Sequence, residues 1–140
     1  MKVTVLAFLA FLLLNCNKNE PPVNTNCDQV AIINDSRFQN APRDDFDFVS
    51  AEINGDCLEI SVRYGGGCGG ATFELIGNNI IKEPIPVRRY AVISFEDKDN
   101  CEALVMPTIS FDLTPFQVKN ENEVAIYLDG ISRTPILYKY

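Results

Sequence analysis

The 140-residue sequence contains no histidine and no tryptophan, only two methionines, and 12 basic residues against 19 acidic ones, a formal net charge of −7. Each shortage removes a class of function. Without histidine there is no Ser-His-Asp triad, no Cys-His pair, no imidazole metal cage and no histidine pH switch. The acidic balance argues against nucleic acid as a partner, because phosphates are bound by clustered Lys and Arg. Long apolar runs are missing as well. The longest, residues 3–14, is broken only by Thr4, and a helix of that length spans about 18 Å, short of the roughly 30 Å hydrocarbon core. No segment carries a convincing helical period, and the length sets one small domain as the ceiling.

What is present begins with Met1-Lys2 and the short apolar run, the pattern of a secretory signal peptide. A cysteine stands directly after it. Leu13-Leu14-Asn15-Cys16 resembles the lipobox of bacterial lipoproteins, with Asn15 where that pattern favours Gly, Ala or Ser. The resemblance implies that Cys16 is the acylated first residue of the mature chain. Two or three acyl chains, at about 0.8 kcal/mol per buried methylene, hold a protein on a bilayer almost permanently. Residues 17–26 are polar and contain Pro21-Pro22, the composition of a tether. The absence of Asp after Cys16 implies, by resemblance to Gram-negative sorting rules, the outer membrane, and Lys18 and Glu20 only weakly resemble a surface-export signal. The expected organisation is a signal peptide over 1–15, a lipidated tether over 16–26 and a folded domain over 27–140.

Downstream the dominant period is two. Leu58, Ile60, Val62 and Tyr64 alternate with Glu59, Ser61 and Arg63, which marks a half-buried strand. The same alternation recurs at Ile109, Phe111 and Leu113, at Val124, Ile126 and Leu128, and at Phe73 and Leu75. Val49, Ala51 and Ile53 run into Asn54-Gly55, a strong hairpin signal, and Asp129-Gly130 marks a second reversal. With residues 29–33 and 87–95 this makes about seven or eight short strands. The fold class expected is all-β, an antiparallel β-sandwich of immunoglobulin-like or similar architecture. Residues 34–45 read as an acidic loop or a poorly formed strand, and Val105-Met106-Pro107 as a bulge.

With Cys16 assigned to lipid, Cys27, Cys57, Cys68 and Cys101 allow three pairings. If residues 57–64 are extended they span about 23 Å, which excludes a Cys57–Cys68 bridge because a disulfide permits roughly 6 Å between Cα atoms. A plain meander places Cys101 at the Cys68 end. Cys27 falls at the Cys57 end if the first strand runs antiparallel to the strand ending at Ile53. The expected bridges are Cys27–Cys57 and Cys68–Cys101, with Cys27–Cys68 and Cys57–Cys101 as the alternative. Both sets suit an oxidising compartment. A four-thiolate zinc site lacks its paired CxxC spacing.

The remaining motifs carry little chemistry. Residues 65–70, Gly-Gly-Gly-Cys-Gly-Gly, resemble a phosphate loop only in glycine content, since no Lys-Ser or Lys-Thr follows, and read as a wide hairpin turn using positive φ. Asp97, Asp99 and Glu102 are weak calcium candidates because they place oxygens near alternate positions; the ordinary account is a solvated acidic turn. Asp44, Asp45 and Asp47 carry the same ambiguity. Paired carboxylates about 5 to 9 Å apart could hydrolyse a glycoside, but the acids fall on turns and outward strand faces. Tyr90, Tyr127, Tyr138 and Tyr140 could stack on a sugar or a partner, unless Tyr138 and Tyr140 share a core-facing side.

Residues 54–60 (Asn-Gly-Asp-Cys-Leu-Glu-Ile), 64–68 (Tyr-Gly-Gly-Gly-Cys), 73–75, 101–104 (Cys-Glu-Ala-Leu) and 111–113 together resemble an uncharacterised family of small lipoproteins from Bacteroidetes. That resemblance implies an extracytoplasmic β-domain with a Cys68–Cys101 bridge and brings no activity. The expected function is that of an outer-membrane-anchored lipoprotein, a binding or accessory module of a cell-envelope complex, with no enzymatic activity and no cofactor. Its expected partners are the bilayer through Cys16 and a protein or glycan of the envelope. The alternatives are a small hydrolase using paired carboxylates and an inhibitor or structural envelope protein.

Overall fold

A computed structural model describes residues 26–82, 85–98 and 100–140, so the expected signal peptide, Cys16 and nearly all of the expected tether lie outside the described residues. In chain order the elements are β1 (Gln29–Val30), β2 (Ile32–Ile33), α1 (Asp35–Asn40), β3 (Asp47–Asn54), β4 (Cys57–Gly66), β5 (Ala71–Gly77), β6 (Val87–Asp97), β7 (Ala103–Val105), β8 (Thr108–Asp112), a 3-10 turn at Thr114–Phe116, β9 (Glu123–Leu128) and β10 (Ile136–Lys139). They form two sheets, one ordered β1-β8-β4-β3 with β7 added against β4, the other β10-β9-β6-β5-β2. The β-sandwich expected from the alternation is present. It is mixed rather than purely antiparallel, because β1/β8, β2/β5 and β6/β9 are parallel pairs.

The period-two residues do what their spacing requires. Leu58, Ile60 and Val62 of one sheet meet Phe73, Leu75, Ile93, Phe95, Val124 and Ile126 of the other in a single buried cluster, while Glu59, Ser61 and Arg63 face outward. Each such aliphatic or aromatic side chain contributes about 1.5–3 kcal/mol on burial. The Asn54-Gly55 signal forms the β3–β4 hairpin, with Asn54 paired to Cys57 and Gly55 at φ 60°.

The structure corrects several local expectations. Residues 29–33 are not one strand: the chain passes from the first sheet to the second at buried Ala31. Residues 34–45 are not simply a loop, since a short helix forms there once the Asn34 side chain caps the Arg37 amide and Arg37 reaches Glu74 of β5. Val49 does not share a face with Ala51 and Ile53, because the β3/β4 register shifts between Phe48 and Ser50 and leaves it exposed while Phe48 packs on the core. The glycines at 65–70 do not close a hairpin between paired strands. They carry the chain from β4 in one sheet to β5 in the other, with Gly67 and Gly69 at φ 108° and 91°.

The chain crosses back between β6 and β7, the latter set against β4, and the Cys68–Cys101 disulfide ties the two crossings together at one end of the sandwich. A second disulfide, Cys27–Cys57, lies at the other end. Its geometric premise differs from the one assumed above: β1 is parallel to β8 and therefore runs in the same direction as β3, not antiparallel to it. The bridge arises because the segment before β1 turns beside β8, where Asp28 Oδ2 accepts from the amide and hydroxyl of Ser110.

Candidate binding surface

A cleft of about 540 Å³ lies between the segment leading into β3 and the turn after β9. Residues 42–44 reach it by running beside β6 past the point where β9 leaves. The Asp44 amide donates to the Phe95 carbonyl and the Phe95 amide to the Pro42 carbonyl. Phe46 then turns inward and stacks edge-on against Phe73 and Phe95, which makes the floor rigid and apolar. The rim is charged. Arg43 Nη1 stands 3.0 Å from Asp129 Oδ2, and Arg63 Nη2 stands 2.7 Å from Asp47 Oδ2. Both pairs are about half exposed, so each contributes roughly 0–1 kcal/mol, and a guanidinium can exchange one carboxylate for another at little cost.

The Asp129–Gly130–Ile131 turn is shared with a second cleft of about 410 Å³ lined also by Tyr90, Tyr127 and Arg133. Tyr90 and Tyr127 lie opposite each other in the parallel β6/β9 register and stack at 5.4 Å between ring centroids. Lys82 Nζ lies 5.1 Å from the Tyr90 centroid and the Arg88 guanidinium 5.8 Å from that of Tyr127, distances at which the ring quadrupole attracts a cation. Among the described residues neither Lys82, Arg88 nor Arg133 is ion-paired to a carboxylate. In an acidic chain this is a local excess of positive charge beside two partly exposed aromatic rings.

Two acids, buried Asp112 and part-buried Asp56, serve the fold. Asp112 is 1% exposed and its Oδ1 accepts from both the amide and the hydroxyl of Thr114. Asp56 Oδ1 accepts from the Tyr138 hydroxyl at 2.6 Å, while Gln117 donates to that same hydroxyl at 2.9 Å. Burial, reinforced by the bond to Asp56, raises the Tyr138 phenol above its ordinary pKa and keeps it a donor. Neither Asp56 nor Asp112 lines the two clefts, and their lone pairs are engaged by structural donors. Arg89 is buried too, its Nε donating to the Phe116 carbonyl, with its pKa lowered mainly by burial.

The residues singled out from the sequence are distributed as follows. Cys27–Cys57 and Cys68–Cys101 are the two bridges. Cys16 and Asp99 lie outside the described residues. The Asp97 amide donates to Asp44 Oδ2 and Glu102 is exposed; among the described residues no three acidic or thiol groups are gathered as a metal site. Asp44, Asp45 and Asp47 share the first cleft with two arginines, which supplies countercharge in place of a cation. Tyr138 is fully buried, and the Tyr140 hydroxyl accepts from the Val118 amide, so neither is a free stacking platform. Tyr90 and Tyr127 are partly exposed, but stacked on each other. The convergence of Arg43, Arg63 and Asp129 was invisible in the sequence, since the residues are far apart and join only through the register of both sheets.

No protein-family profile matches the chain, and no curated protein matches it. Solved structures share the fold. A Bacteroides vulgatus protein of unknown function, DUF1344, superposes with a TM-score of 0.53 at 13% identity, over 80% of this chain and 56% of its own. A NigD-like immunity protein from Bacteroides caccae superposes with a TM-score of 0.53 at 13% identity, over 79% of this chain and 59% of its own. The chain thus spans less than two thirds of the length of either.

Proposed function

We propose that this protein is an envelope lipoprotein, held on the outer membrane through Cys16, whose β-sandwich acts by binding and not by catalysis. Its working surface is the pair of clefts flanking the Asp129–Ile131 turn, and its partner is a protein. The observation that carries this reading is the composition of that surface: exchangeable arginines at Arg43 and Arg63, and the stacked Tyr90/Tyr127 pair with Lys82, Arg88 and Arg133 around it. The fold shared with an immunity protein supports a protective or accessory role over a hydrolytic one, as does the structural use of Asp56 and Asp112.

Anchorage is tested by labelling cells with a fatty-acid analogue. The wild-type chain takes up label and the Cys16→Ala variant does not; absence of label, or label surviving the substitution, refutes the anchor. For the binding half, the double reversal Arg43→Glu with Arg63→Glu abolishes co-purification of the envelope partner identified with the wild-type protein while leaving thermal stability within about 1 kcal/mol, because both side chains are exposed. Undiminished co-purification refutes this surface.

A further inference from the structure

The outer face of the second sheet is divided. Over β5 and the C-terminal half of β6 it is covered, because the chain leaving β2 on one side returns to pair Arg43 with Phe95 on the other, and α1 lies between with Arg37 on Glu74. Ile76, Val92 and Ser94, which share that face with Glu74 in the β5/β6 register, are buried there. Over β9 and β10 the face reaches solvent. Register sets Lys82, Arg88, Ala125 and Leu137 in one row across the strands and Tyr90 beside Tyr127 in the next. The row is low in the middle, since Ala125 is buried while Lys82 is exposed and Leu137 is 52% exposed. Lys82 and Arg88 lean over the two rings, and Arg133 lines the same cleft as the rings.

Resting on the protein-binding reading of this surface, we propose that the partner segment docked on this half of the face is acidic: its carboxylates pair with Lys82, Arg88 and Arg133, and an apolar side chain between them lies over Ala125 beside Leu137. Charge complementarity carries the assignment. Among the described residues Arg37, Arg43, Arg63, Lys98 and Lys139 each face a carboxylate of the chain itself, and Arg89 is buried against the Phe116 carbonyl. The cations without such a partner are Lys82, Arg88, Lys119 and Arg133, and all but Lys119 gather around one pair of rings. Attraction to a ring face positions a cation without neutralising it. Lys82 and Arg88 therefore keep their charge for an incoming carboxylate, whose charge-assisted hydrogen bonds are about twice as strong as neutral ones. A chain of net charge −7 repels acidic segments, so the one patch of opposite sign is where such a segment is steered. The apolar strip of Ala125 and Leu137 selects a polypeptide with mixed side chains, because a ligand carrying charge alone would leave that strip unmatched.

The probe is a short fluorescein-labelled peptide rich in Glu with Leu interspersed, titrated with the full-length protein in non-ionic detergent and followed by fluorescence anisotropy. Its counterpart carries Gln at every Glu. The expected result is saturable binding of the Glu peptide that weakens at least about tenfold when Gln replaces Glu and again when Lys82→Gln, Arg88→Gln and Arg133→Gln are combined. Lys119→Gln, which removes an unpaired cation elsewhere, leaves the affinity within about twofold, and melting curves establish that each variant is folded. Arg133→Gln alone, on an exposed turn, gives a smaller loss in the same direction. Equal binding of the two peptides, no binding of the Glu peptide, or undiminished binding by the triple variant overturns the inference, and so does tighter binding of polygalacturonate, which would make the face a glycan site. The protein-binding reading fails separately. A photocrosslink from position 127 to an envelope protein, mapped by mass spectrometry to a segment without Asp or Glu, refutes the acidic partner and leaves protein binding standing, whereas no crosslink at all refutes the reading beneath it.

Discussion

Gly77 closes β5 under two neighbours, and adding a single methyl group there tests how this end of the sandwich is packed. A Cβ at position 77 would stand 2.8 Å from Ile33 Cδ1 and 2.8 Å from Phe116 Cζ, both inside van der Waals contact. The two neighbours differ in their freedom to move. Ile33 offers the end of a flexible, half-buried side chain, which can rotate. Phe116 is fully buried, its amide donates to the Leu113 carbonyl at 2.7 Å and its carbonyl accepts from Arg89 at 2.8 Å, so its ring has nowhere to go. Overpacking of this kind costs about 1–3 kcal/mol, and replacing a strand glycine returns about 0.5–1 kcal/mol. Gly77→Ala should therefore destabilise by about 1–2 kcal/mol, lowering Tm by roughly 4–8 °C in a domain of this size. Thermal denaturation followed by circular dichroism, with urea titration for the free energy, reads the effect. The partner is identified by a double-mutant cycle: Phe116→Leu removes the ring tip, so Gly77→Ala costs at least about 0.5 kcal/mol less in that background. A Gly77→Ala protein as stable as wild type, or strict additivity with Phe116→Leu, refutes the packing of β2 and the 3-10 turn over β5.

Removing either disulfide by paired Cys→Ser substitution should cost about 3 to 4 kcal/mol on the chain-entropy account. The bridged residues are 30 and 33 apart in sequence, so loop length alone makes the two costs equal to within about 0.1 kcal/mol, and urea midpoints unchanged by either removal contradict the account. Acid should weaken the domain through Asp28 and Asp35. Bonds from the Ser110 hydroxyl and then its amide hold Asp28 below the usual 3.8, as the Asn79 amide and then its side chain hold Asp35. A carboxylate lowered by folding contributes stability that is complete above the usual value and is lost as pH falls toward the lowered one. Melting curves below pH 4 should therefore show a decline that is shallower in Asp28→Asn and Asp35→Asn; identical slopes refute both assignments.

Strand positions set by local chemistry were legible in the sequence. Leu58, Ile60 and Val62 advertise a core-facing strand by alternation, and Asn54-Gly55 a hairpin by its tolerance of positive φ. Features that depend on distant partners were not. The six-residue helix over 35–40 has no helical period to read, because it is held by one cap and by Arg37 against Glu74. The parallel pairs made by β1 and β2 are equally silent, since each of those strands contributes two residues and no pattern of that length carries a direction. The Val49 bulge exists because β4 dictates the register. At the surface, Tyr90 and Tyr127 could be named as candidate rings from residue type alone, whereas Arg43, Arg63 and Asp129 come together only when two sheets are closed over Phe46.

The claim that the protein works by binding a protein through the Asp129 turn is tested most directly by site-specific photocrosslinking in the native envelope. A photoreactive residue replaces Tyr127 or Ile131 at the clefts, or Glu52 on the exposed outer edge of β3 as control. Adducts to one and the same envelope protein from positions 127 and 131, and not from position 52, are the predicted result. No adduct from the cleft positions, or the same adduct from position 52, would contradict it.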